Sequence, residues 1–230
     1  MILSFDGNTY LGKTSVIHAL KKRFPESVVR EEYDTDPGFL EGRTHLEKQK
    51  YYFDLERKRQ VEEGEKRLVL LDRSYLSILA HSYAVSRIER KNRLGETVGL
   101  LKLQRGKGWI IRQQAAVFFI QPTGDGVYSD IDQKGGEAIL YNRQYRSYID
   151  DFYLEILRML SKEAISDQWC LNRLYLWKES RDRSLERLIR WMERYRYSEK
   201  ISDACEGEDL FPVFLSAVEK ILYKVGKQYD

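Results

Sequence analysis

Cysteine is nearly missing: the 230-residue chain has two, Cys170 and Cys205. Two cysteines in a chain this long make no disulfide scaffold, so a reducing, cytoplasmic setting is the expectation. Histidine is as sparse. His18, His45 and His81 are scattered without a cysteine or histidine partner at ligand spacing, which argues against zinc. Four prolines and no low-complexity tract leave no room for a long linker. No apolar run approaches the ~20 residues of a membrane span, and no membrane association is expected. Met1 to Phe5 runs straight into a glycine motif, so no secretory leader is expected. Neither sign of charge dominates. The 39 basic and 36 acidic residues leave a net charge of +3, which is no disordered polyelectrolyte.

What is present suits a globular α/β chain. Apolar residues make up 42 %, enough for a sizeable core, and 16 Tyr and 4 Trp can serve that core or stack on a flat ligand. Short apolar runs alternate with helical periodicity along the chain. Ile2–Phe5, Val28–Arg30, Leu68–Leu71, Ala115–Ile120 and Leu171–Leu176 read as strands. Ser15–Phe24, Thr44–Gly64, Ser74–Val85, Ala138–Leu160, Leu185–Tyr195 and Val213–Val225 read as helices. The alternation predicts a parallel sheet of about five strands with helices on both faces and an extra C-terminal helix. The expected division is an α/β domain over residues 1–196. A helical extension packed on it would span 197–230, opening on an acidic polar stretch over 197–209.

Gly7-Asn8-Thr9-Tyr10-Leu11-Gly12-Lys13-Thr14 fits the phosphate-binding pattern G-x-x-x-x-G-K-[ST], the Walker A or P-loop. Such a loop turns backbone N–H groups inward onto phosphate oxygens, and glycine permits that path. The following helix, with Ser15 in its first turn, aims its positive end at the same anion. Lys13 can reach the outer phosphates, and the Thr14 hydroxyl can ligate Mg²⁺. Asp72 closes the third strand, where such folds hold the metal. Arg73 follows it at the carboxyl edge of the sheet, and its planar fork suits phosphate or a carboxylate. Glu31 and Glu32 follow the second strand at the same edge. A carboxylate there can take a proton from an acceptor hydroxyl, and only one of the two should enter the cleft.

Together these pieces resemble the deoxynucleoside kinases and the neighbouring thymidylate kinases. Asp6 to Thr14 resembles the acidic-G-N-x-x-x-G-K-[ST] loop of the former. Asp72-Arg73-Ser74 resembles their [DE]-R-S element and the D-R-[YF] of the latter. Arg30-Glu31 lies where those families carry their R-E-P or catalytic Glu. Gln49-Lys50-Tyr51-Tyr52-Phe53 resembles a helix whose Gln pairs with a base while aromatics line the pocket. The likeness is good over roughly residues 1–85 and continues beyond only in the rhythm of elements. It implies ATP on Lys13 and Thr14 with Mg²⁺, and Glu31 as base with Glu32 as its substitute. It implies Arg73 as a phosphate clamp, and Gln49, Tyr51 and Phe53 as acceptor contacts.

The departures concern the acceptor. The stretch Pro122–Gly136, where those families carry an arginine-bearing lid, has no arginine and several acids. Lys134, Arg143 and Arg146 are the candidates to supply that charge. Tyr10 replaces the small residue usual in the loop. Residues 87–112 hold eight basic side chains against two acidic ones, twice the net charge of the whole chain. They are either a solvated helix surface or a cationic wall for a phosphorylated acceptor or a nucleic-acid end.

Three readings follow. The leading one is transfer of the ATP γ-phosphoryl to a nucleoside or nucleoside monophosphate. The second is another acceptor on the same scaffold, such as an antibiotic, a sugar or a polynucleotide end. The third is a nucleotide-dependent binding module with a protein or nucleic-acid partner. A homodimer through helices is compatible with each.

Overall fold

The computed structural model describes residues 2–9, 11–32, 37–61, 68–109, 115–120, 143–162, 174–176, 181–197 and 211–226. The Pro122–Gly136 stretch, Lys134, Tyr10, Arg112 and the acidic 198–209 segment lie outside the described residues.

In chain order the elements are β1 (Ile2–Gly7), α1 (Lys13–Arg23), β2 (Val28–Arg30), α2 (Pro37–Leu40), α3 (His45–Val61), β3 (Val69–Asp72), α4 (Tyr75–Glu89), α5 (Arg93–Gly106), β4 (Ala115–Phe119), α6 (Arg143–Lys162), β5 (Leu174–Leu176), α7 (Arg181–Tyr197) and α8 (Phe211–Gly226). The strands form one parallel sheet in the order β2-β3-β1-β4-β5. Parallel strands buried on both faces need continuous apolar runs, and Leu3, Phe5, Leu70, Leu71 and Val117 are fully buried.

Alternation along the strands feeds two cores. Ala115, Val117 and Phe119 of β4 point to one face, with Leu3, Phe5, Val16, Ile17, Leu20 and Leu188 beneath α1 and α7. Ala116, Phe118 and Ile120 point to the other, toward α3, α4, α5, α6 and α8. Each fully buried side chain of this size contributes about 1.5–3 kcal/mol. Ala217, Val218 and Ile221 bring α8 into the second core, against α6. Among the described residues no helix is long and apolar enough to cross a membrane.

Local signals explain the helix ends. Thr44 and Glu47 form a capping box: Thr44 N–H donates to Glu47 Oε2 at 2.8 Å, and Glu47 N–H to Thr44 Oγ1 at 3.3 Å. The Ser74 hydroxyl caps α4 by accepting from Leu76 N–H at 3.2 Å. Helix α5 is an element that periodicity did not announce, because its charged residues mask a modest apolar face. Asn92 caps it through Gly95 N–H at 3.1 Å, and Leu94, Val98 and Leu101 are buried.

The connections leaving β1 and β3 carry the chain to opposite halves of the sheet. A crevice opens at the carboxyl ends of the strands where that direction reverses. The glycine loop and the residues after β2 and β3 all end there.

Candidate active site

The loop is possible only because of two glycines. Gly7 ends β1 with φ 139°, and a Cβ on it would lie 2.1 Å from the Phe119 carbonyl oxygen of β4. Gly12, with φ 81°, turns the chain into α1. No side chain caps that helix, so its first-turn N–H groups keep their capacity for an anion.

Lys13 is buried and donates from Nζ to the Asn8 carbonyl at 2.7 Å. Burial first, and the Arg73 charge second, pull its pKa down to about 7. Asn8 Nδ2 donates to the Arg146 carbonyl at 2.8 Å, and Arg146 NH2 donates to the Thr9 carbonyl at 2.9 Å. The α6 residue Arg146 thus braces the loop from behind.

Thr14 Oγ1 donates to Asp72 Oδ2 at 2.5 Å. The other oxygen, Asp72 Oδ1, is buried with no hydrogen-bond partner among the described residues. A hydroxyl beside a buried carboxylate oxygen with spare acceptor capacity is a donor set that fits Mg²⁺.

Arg73 sits in a left-handed conformation, φ 66°, its N–H donating to Phe5 O at 3.0 Å. NH1 donates to Gly7 O at 3.1 Å, and Nε pairs with Glu32 Oε1 at 2.5 Å. Burial opposes the Arg73 charge most, but Glu32 and Asp72 outweigh it and its pKa is raised.

Behind Arg73 lies Asp6, fully buried. Its carboxylate accepts from Ser4 Oγ at 2.7 Å, Ser74 N at 2.9 Å, Ser74 Oγ at 2.9 Å and Ser77 Oγ at 2.7 Å. With the Ser77 proton spent there, the Tyr153 hydroxyl is the donor across its 3.1 Å contact with Ser77 Oγ. Burial, then the Asp6 charge, hold the Tyr153 phenol well above its usual pKa. His81 Nδ1 meets the Tyr145 hydroxyl at 2.8 Å, and His45 stacks on His81 at 6.1 Å between ring centres. Burial and then His45 pull His81 down to about 4, so its ring is neutral at pH 7.

These groups surround a cavity of about 250 Å³. Gly7, Asn8, Thr9, Glu32 and Arg73 form its phosphate-loop end. Gln49, Tyr52, Ile78, His81, Tyr145 and Tyr153 are among its other walls. Gln49 is 1 % exposed, and its Oε1 has no hydrogen-bond partner among the described residues.

No family model and no curated protein matches the chain by sequence. Solved structures do. Deoxyadenosine kinase from M. mycoides, with products dCMP and a flexible dCDP bound, superposes with a TM-score of 0.61 at 13 % identity, over 85 % of this chain and 100 % of that one. Thymidylate kinase from Candida albicans gives 0.61 at 19 % identity, over 85 % and 92 %. Thymidylate kinase from Ehrlichia chaffeensis gives 0.57 at 13 % identity, over 84 % and 98 %. The fold is that of the deoxynucleoside and thymidylate kinases.

On this kinase-like fold the expected residues divide. Arg73 lines the cleft, Lys13 meets the lining residue Asn8, and Thr14 meets Asp72, which precedes Arg73. Leu11 packs partly buried against the core beneath α1, and Ser15 is exposed in the first turn of α1. Both glutamates are exposed, but Glu32 lines the cleft, whereas Glu31, the base the resemblance puts first, is not among the described lining residues. Successive residues at a strand end point to opposite sides, so only one can enter. Gln49 lines the cleft; Tyr51 and Phe53 do not. Tyr51 meets Tyr52 edge-on at 5.9 Å, and Phe53 is buried against Trp109 at 5.8 Å. Of the three aromatics at 51–53, Tyr52 lines the cleft. Arg143 is exposed at the start of α6, and Arg146 is fully buried against the loop, so neither lines the cavity.

The basic stretch also needs correction as an acceptor wall. None of residues 87–109 lines the cavity. Arg87 lies over the Tyr148 ring at 5.2 Å, and Arg93 pairs with Glu89 and Glu96 at 3.0 and 3.2 Å. Lys102 pairs with Glu219 of α8 at 2.5 Å, and Trp109 is core.

Proposed function

We propose that this chain is a kinase that transfers the γ-phosphoryl group of ATP, with Mg²⁺, to the primary hydroxyl of a nucleoside or deoxynucleoside. One observation carries the choice of a neutral acceptor: the charge inside the cleft. Among the described residues its lining holds one cation, Arg73, already paired with one anion, Glu32, while His81 is neutral. A monophosphate brings a charge of about −1.5 to −2, which that lining does not balance. A nucleoside brings none. The nucleotides bound in structures of this fold support a ligand of the nucleoside or nucleotide class.

The roles follow from placement. The backbone from Gly7 to Lys13 and the start of α1 wrap the triphosphate. Lys13 leaves the Asn8 carbonyl for the outer phosphates, whose charge favours its protonated form. Thr14 and Asp72 would hold Mg²⁺, which would neutralise charge on the phosphate oxygens. Gln49, buried with an acceptor oxygen to spare, receives a hydrogen bond from the edge of the base. Tyr52, Ile78 and Tyr145 exclude water around the sugar and base. Glu32 takes the proton of the attacking hydroxyl. As it does so its charge disappears, and Arg73 is released to the transferring phosphoryl group. Glu31 has no such position.

Phosphoryl transfer with Mg²⁺ and a panel of nucleosides, nucleoside monophosphates and unrelated hydroxyl compounds tests the reading. Nucleosides are expected to stimulate ATP consumption, with none in Lys13→Ala. Glu32→Gln should lower kcat by ~10²- to 10⁴-fold, the usual worth of a positioned base, while Glu31→Gln stays near wild type. Stimulation by monophosphates alone would refute the neutral acceptor. Stimulation by non-nucleosides alone would move the site to another substrate. ATP binding with no acceptor at all would make the chain a nucleotide-dependent binding module.

A further inference from the structure

Helix α3 turns an unusual face inward. Gln49, Tyr52, Glu56 and Arg59 follow one another at intervals of three, four and three residues, which places them on one stripe of the helix. The first two line the cleft. The last two reach the carboxyl edge of the sheet. Glu56 is fully buried and pairs with Arg59 at 3.0 Å. Arg59 spreads its other donors over the ends of two strands. NH2 donates to Arg30 O and to Asp72 O, each at 2.9 Å, and NH1 to Arg73 O at 3.4 Å. One guanidinium therefore holds the carbonyl before Glu31-Glu32, the carbonyl of the metal-side carboxylate, and the carbonyl of Arg73 itself.

We infer that Arg59 is a positioning residue for phosphoryl transfer, acting through the Asp72-Arg73 turn and the Glu32–Arg73 pair. The inference rests on the kinase reading above. Arg73 is a non-glycine residue at φ 66°, a conformation that persists only where its surroundings impose it. The Arg59 fork is one of those constraints, and it ties that turn to the β2 end that bears Glu32. A planar group with five fixed donors can bridge three carbonyls and a carboxylate at once. A lysine in its place keeps the charge against Glu56 but has neither the fork nor the span. The same helix carries Gln49 about 15 Å away along its axis, at 1.5 Å per residue. Acceptor recognition and phosphate-side geometry thus share one rigid element.

The test is Arg59→Lys, with kcat expressed per nucleotide-binding site so that unfolded protein is not counted. Ile221→Val, in the α8 core far from the strand ends, controls for lost stability. Misplacement of reacting groups by a fraction of an ångström to an ångström predicts a kcat loss of about tenfold to a hundredfold. The acceptor KM and the ATP affinity should stay within about threefold, because Arg59 touches neither, and Ile221→Val should leave kcat per site unchanged. A kcat per site within about twofold of wild type in Arg59→Lys would overturn the inference and leave the kinase reading standing, as would a loss expressed only in the acceptor KM. Absence of transfer in the wild-type protein would overturn both.

Discussion

Replacing Asp6 by Asn measures how much of the site's frame one buried carboxylate holds. Asp6 accepts four hydrogen bonds, from Ser4 Oγ, Ser74 N, Ser74 Oγ and Ser77 Oγ. They join β1 to the Asp72-Arg73-Ser74 turn and to the first turn of α4. The Ser74 N–H can only donate, so an Asn at this position must keep its oxygen there and turn its NH₂ toward the Ser4 and Ser74 hydroxyls. Both hydroxyls then have to reverse from donor to acceptor, and all four bonds lose their ionic partner. Charge-assisted bonds contribute about 1.5–3 kcal/mol against about 0.5–1.5 for neutral ones, so the four together lose roughly 4 kcal/mol. Relief from burying a charge offsets about half of that, leaving ~2 kcal/mol of net destabilisation. For a chain of this size that is a fall in Tm of about 4–8 °C. Asp6→Ala removes the acceptor of all four bonds, the buried Ser74 N–H among them, and is expected to be more destabilising than Asp6→Asn. Urea titrations followed by circular dichroism give the comparison. An Asn variant within about 0.5 kcal/mol of wild type, or an Ala variant no worse than Asn, would refute the reasoning.

Two further outcomes follow. Gly7→Ala sets a Cβ 2.1 Å from the Phe119 carbonyl, closer than atoms can pack, so β1 and β4 must part. Loss of soluble folded protein is expected, and a variant with wild-type stability would contradict the close approach. His81 is held at about 4 in the native state against 6.5 in the unfolded chain, so between those values only the unfolded chain takes up its proton. Stability should therefore fall as pH drops from 6.5 toward 4, and the fall should be shallower in His81→Gln. Equal slopes of urea midpoint against pH would remove His81 from the account.

Much of the phosphate side was legible because its chemistry demands particular residues in a row. Gly7 and Gly12 have conformations open chiefly to glycine, and Lys13, Thr14 and Asp72 follow from where the strands end. The acceptor side was legible only in part. The resemblance points to Gln49 and Tyr51, and of these Gln49 lines the cavity while Tyr52 takes the place beside it. Aromatic residues adjacent in sequence lie about 100° apart on a helix, and nothing local shows which one faces the cleft. Glu31 and Glu32 pose the same problem at a strand end, where one residue of register decides the side. Arg59 escaped because the inner stripe of α3 is polar, so a search for apolar periodicity does not see it. The spacing of Gln49, Tyr52, Glu56 and Arg59 was the available signal. His81, Tyr145, Tyr153 and Ser77 come together only through the packing of α4 on α6, which no local pattern encodes.

The most direct measurement of the central claim is a single turnover with enzyme in excess over γ-labelled ATP, Mg²⁺ and a saturating nucleoside, followed by separation of the labelled products. The account predicts label in the nucleoside monophosphate, formed by wild-type protein and not by Lys13→Ala. Label appearing only in inorganic phosphate, or remaining in ATP for every nucleoside, would contradict it.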